Sequence, residues 1–151
     1  MCIRDRVDRG IAAGGRVVVG GERLGGDHAQ GYFLPITVLA DVDPTSEIAR
    51  TEVFGPVLVV TPFDSEEEAI ALANDSDYGL GAYVHTTNLS RAHRVAAQML
   101  AGQVQVNGAG EAMTPCVPFG GMKHSGYGRL GGIEGLREFQ QVKNVWINLH
   151  A

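Results

Sequence analysis

Short apolar, β-branched runs recur along the chain at Arg16 to Val19, Ile36 to Ala40, Val57 to Phe63, Gly81 to His85 and Gln103 to Asn107. Most are continuous rather than alternating, which suits strands buried on both faces. Two segments between them have helical spacing. Ser65 followed by Glu68 has the form of a capping box, and Ala69, Ile70 and Ala73 give a small apolar face before Asn74-Asp75-Ser76 ends the helix. Asn88 can cap the second, whose Ala92, Val95, Ala96, Met99 and Leu100 form one stripe, with Gly102 placed for a left-handed stop. Strand and helix thus alternate from Val57 to Asn107. Right-handed crossovers would make the sheet largely parallel, giving an α/β fold with flanking helices.

After Asn107 the pattern breaks into a long loop holding Pro115, Pro118 and Gly120-Gly121, and loops of that length inside a domain are usually functional. A third helix is expected from about Ile133 to Gln140, burying Ile133, Leu136 and Phe139. The chain closes on Val145-Trp146-Ile147-Asn148-Leu149, where alternation puts Val145, Ile147 and Leu149 on one face of a strand that needs a partner. No repeat or linker divides residues 7–151. Residues 1–6, Met-Cys-Ile-Arg-Asp-Arg, join abruptly to Val7-Asp8-Arg9-Gly10, the tail of a helix, and resemble an artefactual start; they are set aside from the fold. The expected organisation is therefore 1–6 as that start, 7–144 as one domain and 145–151 as a terminal strand.

At 151 residues the chain is one domain in size. It is 44% hydrophobic and 19% charged, with a formal net charge of -5 and only Lys123 and Lys143 as lysines, a balance that does not point to nucleic acid. No apolar run approaches the roughly 20 residues that span a bilayer, and the start lacks the apolar stretch of a secretory signal, so we expect a cytoplasmic protein with no membrane partner. Cys2 and Cys116 lie in unrelated contexts, and His28, His85, His93, His124 and His150 are scattered, so neither a disulfide framework nor a metal site is expected.

Two motifs fail on context. Gly126-Tyr127-Gly128-Arg129-Leu130-Gly131 matches GxGxxG, yet no apolar run leads into it and no acidic residue ends a second strand about 20 positions on. His124-Ser125-Gly126 has Lys123 where a nucleophile elbow needs glycine, and reads as a polar turn. Cys116 sits in Thr114-Pro115-Cys116-Val117-Pro118 without an adjacent cation to lower its pKa, and reads as a small buried apolar group rather than a nucleophile.

Three segments, in order, carry a resemblance. The first is Gly31-Tyr32-Phe33-Leu34-Pro35-Ile36-Thr37-Val38, leading through Ala49-Arg50-Thr51 to Glu52-Val53-Phe54-Gly55-Pro56-Val57. The second is Ala69-Ile70-Ala71-Leu72-Ala73-Asn74 with Tyr78-Gly79-Leu80. The third is Pro118-Phe119-Gly120-Gly121-Met122-Lys123-His124-Ser125-Gly126. Together they resemble the aldehyde dehydrogenase superfamily, from about Gly10 to the end of the chain, and identify residues 7–144 as the C-terminal part of a catalytic domain.

The resemblance implies an NAD- or NADP-dependent oxidation of a small-molecule aldehyde to a carboxylic acid. A cysteine thiolate attacks the aldehyde, the thiohemiacetal gives hydride to the nicotinamide, and water cleaves the thioester. In the family the nucleophile, the glutamate base, the oxyanion-binding asparagine and the dinucleotide domain lie upstream, and none of their motifs occurs here; the 151 residues alone are expected to be inactive. What the resemblance carries over is a supporting half-site. Glu52 matches the glutamate that accepts hydrogen bonds from the nicotinamide ribose, a role suited to a carboxylate facing a vicinal diol. Phe54 matches the aromatic beside the nicotinamide, with Gly55-Pro56 stiffening the chain after it. By residue type alone the two would read as a solvated acid and a core aromatic. Phe119 matches a residue of the aldehyde tunnel, though it reads equally as core, and the loop from Gly108 to Val117 would form the tunnel mouth. That loop carries Met113 and no aromatic, which leaves the substrate's size open. The terminal strand resembles the one through which family members form homodimers or homotetramers. The rival reading is a non-catalytic module that associates through the same strand.

Overall fold

A computed structural model of the chain describes residues 3–108 and 114–149. It divides into two compact units, up to Leu72 and from Ala73 onward.

In the first unit α1 (Ile3–Ala12) leads to β1 (Arg16–Val19), β2 (Thr37–Ala40), α2 (Glu47–Arg50) and β3 (Val57–Val60). The strands form one sheet in the order β1-β2-β3, antiparallel between β1 and β2 and parallel between β2 and β3. Leu39, Val42 and Ile48 make its core, with Ile11, Val53, Val57 and Val59 packed against them. Thr37, buried in β2, is satisfied: its hydroxyl accepts from the Gly21 amide at 3.1 Å and donates to the Pro35 carbonyl at 3.2 Å. Residues 3–6, set aside from the sequence, form the first turn of α1 and belong to the fold. Burial on both faces fails as an expectation. Val57 and Val59 face the core while Leu58 and Val60 are exposed, and β1 is exposed throughout, because no element among the described residues of this unit covers the sheet's other face.

Helix α3 (Glu66–Asn74) runs across the division. Its capping box forms with one change: the Ser65 hydroxyl accepts from the Glu68 amide at 3.1 Å, but the Glu68 carboxylate reaches the Asp64 amide rather than that of Ser65, at 2.7 Å.

The second unit continues through β4 (Tyr78–Gly79), β5 (Gly81–Val84), α4 (Leu89–Gln98), β6 (Gln103–Val106), β7 (Met122–Lys123) and α5 (Gly132–Arg137). β5 pairs in parallel with β6, and β4 antiparallel with β7. The α/β class therefore holds, with parallel pairing at β2-β3 and β5-β6; β3 and β5 lie in different sheets rather than in one continuous sheet from Val57 to Asn107. Asn88 caps α4 as expected, its side chain accepting from the Arg91 amide at 3.0 Å. Gly102 is no left-handed stop. The helix ends at Gln98, and Gly102 is glycine because a Cβ there would run into the Gly120 carbonyl oxygen.

α5 is shorter than expected, and Ile133, Leu136 and Phe139 are exposed, not buried. Val145 to Leu149 belongs to no sheet among the described residues, and its apolar side chains are open to solvent.

Candidate functional site

In the first unit the segment after α2 is built to present two side chains. The Thr51 amide closes α2 onto the Glu47 carbonyl at 2.9 Å, and Val53 then packs against the core. With Val53 anchored, Glu52 and Phe54 on either side of it are exposed, and both line one open cleft of about 460 Å³ with Ile48, Thr51 and Leu58. Phe54 is 80% exposed, so it is no core aromatic. Its φ of 55° is left-handed, a conformation costly for a side chain of this size. Pro56 turns the chain straight into β3, with the Val57 amide on the Gly55 carbonyl and the Thr37 amide on the Pro56 carbonyl, both at 2.8 Å.

The Glu52 carboxylate makes no hydrogen bond or ion pair with another described residue, whereas its main-chain carbonyl accepts from Arg6 Nη1 at 2.7 Å. Behind it, Arg9 grips both oxygens of Glu47 at 2.8 Å, tying α1 to α2. The Arg9 hydrogen bonds, aided by the charges of Arg9 and Arg6 and opposed by desolvation, hold the Glu47 carboxyl below the usual glutamate range. Sequence reading missed this bridge because nothing in the spacing of Arg9 and Glu47 announces a pair.

The second unit holds a separate cavity of about 460 Å³, lined by Tyr83, Gln103, Gln105, Phe119 and Leu130 among others. Phe119 is half-buried and lines that cavity. Thr114, Pro115 and Val117 from the predicted loop line the same cavity, while Met113 lies outside the described residues. Phe119 and Leu130 exchange both main-chain hydrogen bonds at 2.7 Å. Arg129 Nη1 donates to the carbonyls of Gly121, Gly128 and Tyr127 at 2.8, 2.9 and 3.3 Å, so the GxGxxG stretch is spent on its own turn. The Ser125 hydroxyl accepts from the Gly79 amide of β4 at 3.0 Å, tying the segment after β7 to that strand. Cys116 is exposed rather than buried. Among the described residues, no group of three acidic, histidine or cysteine side chains could hold a metal.

The chain is α/β, with the Glu52 carboxylate and the Phe54 ring in one open cleft of its first unit and a mainly apolar cavity in its second. The aldehyde dehydrogenase family model matches residues 2–145, and the chain belongs to that family. It is 53% identical over 116 residues to the NADP/NAD-dependent aldehyde dehydrogenase PuuC of Escherichia coli strain K12, covering 76% of this chain and 23% of that protein. The solved aldehyde dehydrogenase of Mycobacterium tuberculosis complexed with NAD+ superposes with a TM-score of 0.88 at 42% identity, covering 99% of this chain and 30% of the other. An aldehyde dehydrogenase C variant of Pseudomonas syringae, solved with NAD+ and octanal, gives a TM-score of 0.84 at 42% identity over 91% of this chain and 28% of the other. The chain thus spans between about a quarter and a third of the length of these relatives.

Proposed function

We propose that this chain supplies the cofactor-ribose contact and part of the aldehyde path of an NAD(P)-dependent aldehyde dehydrogenase that oxidises an aldehyde to a carboxylic acid through a cysteine thiohemiacetal and thioester. The observation that carries the reading is the pairing of Glu52 with Phe54 in one open cleft, the carboxylate unpaired and the ring held away from the core. An unpaired carboxylate can accept from both hydroxyls of a ribose diol, and each such charged hydrogen bond contributes about 1.5 to 3 kcal/mol. Phe54 offers a flat apolar face beside it. When bound, the nicotinamide supplies the two-electron acceptor; the residues of this chain orient it. Phe119, Met113 and the loop before them would shape the aldehyde's approach. The cysteine nucleophile and the base would come from outside these residues, in a cytoplasmic protein whose terminal segment pairs subunits into a homodimer or homotetramer.

The test is an absorbance assay for aldehyde-dependent formation of NADH or NADPH. It compares the 151-residue chain with a protein extended through the reading frame upstream of Val7. Turnover by the extended protein alone is the expected result. Turnover by the 151 residues would overturn the assignment of the nucleophile to another segment, and a silent extended protein would overturn the enzyme reading.

A further inference from the structure

Gln103 lies at the start of β6, fixed there by the parallel ladder to β5 and by its own amide on the Leu80 carbonyl at 3.0 Å. Its side chain crosses to the loop that carries Phe119. Nε2 donates to the Pro118 carbonyl at 2.7 Å and to the Gly102 carbonyl at 3.1 Å. Both partners are oxygens that can only accept, so the amide has one workable orientation, with its nitrogen inward. The Pro118 carbonyl belongs to the peptide bond that enters Phe119. One residue on, Phe119 is pinned by the reciprocal pair with Leu130, and two residues beyond that the Gly121 carbonyl is held by Arg129. Gln103 is thus the contact by which the sheet, a rigid element, fixes the upstream side of Phe119. It lines the same cavity as the ring.

We infer that Gln103 is a positioning residue for aldehyde recognition: its amide fixes the Pro118-Phe119 peptide and with it the placement of the Phe119 ring in the cavity. The inference rests on the reading of Phe119 as part of the aldehyde path. A positioned wall selects substrate by shape only while its own backbone cannot drift. Proline at 118 has no amide to contribute, which leaves the carbonyl as the main-chain hydrogen-bonding group available at that position.

Gln103→Glu is the informative variant. It keeps the side chain's size and replaces the donor with an oxygen facing two carbonyl oxygens. In the catalytically competent protein that contains this segment, Gln103→Glu raises the KM for aldehyde about threefold to tenfold, the size expected for losing the hydrogen bond to the Pro118 carbonyl, and leaves the KM for NAD(P)+ unchanged. Gln103→Lys, which keeps a donor of sufficient length, recovers most of that rise. Gln98→Glu, the same chemical change on an exposed face of α4, alters neither constant. Against a Phe119→Leu background, Gln103→Glu adds nothing further. An equal rise in both backgrounds, or a parallel change in both KM values, overturns the positioning role. An unchanged aldehyde KM in Phe119→Leu alone would overturn the reading of Phe119 itself, and the inference with it. In the 151-residue chain, amide hydrogen exchange at Phe119 and Leu130 should quicken in Gln103→Glu, and unaltered exchange there contradicts the proposal independently of activity.

Discussion

Phe54 holds its ring outward at the cost of a left-handed backbone, about 1 to 2 kcal/mol for an L residue. That cost gives a way to separate ring from backbone. Phe54→Ala and Phe54→Gly remove the same aromatic face, so both should weaken cofactor binding alike. Phe54→Gly also relieves the strain, and part of that gain is offset by the greater freedom of glycine in the unfolded chain. In urea titration it should therefore be the more stable of the two, by up to about 1 kcal/mol. Phe54→Ala as clearly the more stable of the two would mean that the φ of 55° costs less than the freedom of glycine in the unfolded chain. Glu52 answers to a different measurement. Gln at position 52 keeps one acceptor but places a donor against a diol, so Glu52→Gln should raise the KM for NAD(P)+ about tenfold with little change in stability. A cofactor KM within twofold of the parent would remove Glu52 from the site.

Elements show where the sequence was legible and where it was not. Five of the seven strands were found within a few residues because each lies in a short apolar run, the two-residue strands β4 and β7 left no such run, and the caps at Ser65 and Asn88 were found because capping is a local rule. Phe54 would have been misplaced by residue type alone; the order of motifs around it, not its chemistry, set it apart from an ordinary core aromatic, and it is exposed. Long-range polar contacts left no such trace. Lys123 is the clearest case: Nζ donates to the Asn74 and Ser76 carbonyls at 2.7 and 2.8 Å, closing the end of α3, and the Asn74 side chain in turn bridges the Gln98 carbonyl and the Leu100 amide, both at 2.8 Å. Because Lys123 is exposed, Lys123→Met should cost no more than about 1 kcal/mol in a denaturant titration despite the two charged hydrogen bonds it removes. Arg9 and Glu47 make a pH-dependent version of the same argument. The folded-state pKa of Glu47 is lowered, so the unfolded chain binds the proton more readily, and the contribution of the pair is present above the usual value of 4.5 and lost as pH falls through the folded-state value. Arg9→Gln should therefore lower the urea midpoint at neutral pH and converge on the parent below pH 4.5. A constant gap across that range would show that the bridge contributes through packing alone.

At the scale of the whole chain, burial is the missing quantity. Within each unit, apolar side chains such as Val18 and Leu58, or Tyr83 and Leu136, lie exposed on faces that no other described residue of that unit covers. The composition gave no warning of this, since 44% hydrophobic content is ordinary and says nothing about which faces find partners. Exposed apolar area on this scale favours association with other protein surface. The terminal segment offers the sharpest place to test it, because Val145, Ile147 and Leu149 are 64%, 74% and 85% exposed and alternate with Trp146 at 88%. If the segment pairs as a strand with its aliphatic face inward, Ile147→Lys puts a charge into the covered face whereas Trp146→Lys falls on the other one. Sedimentation of the extended protein should then show Ile147→Lys shifted to a smaller species and Trp146→Lys close to the parent. Equal sensitivity at the two positions would mean that the segment is gripped from both sides and does not add as an alternating strand.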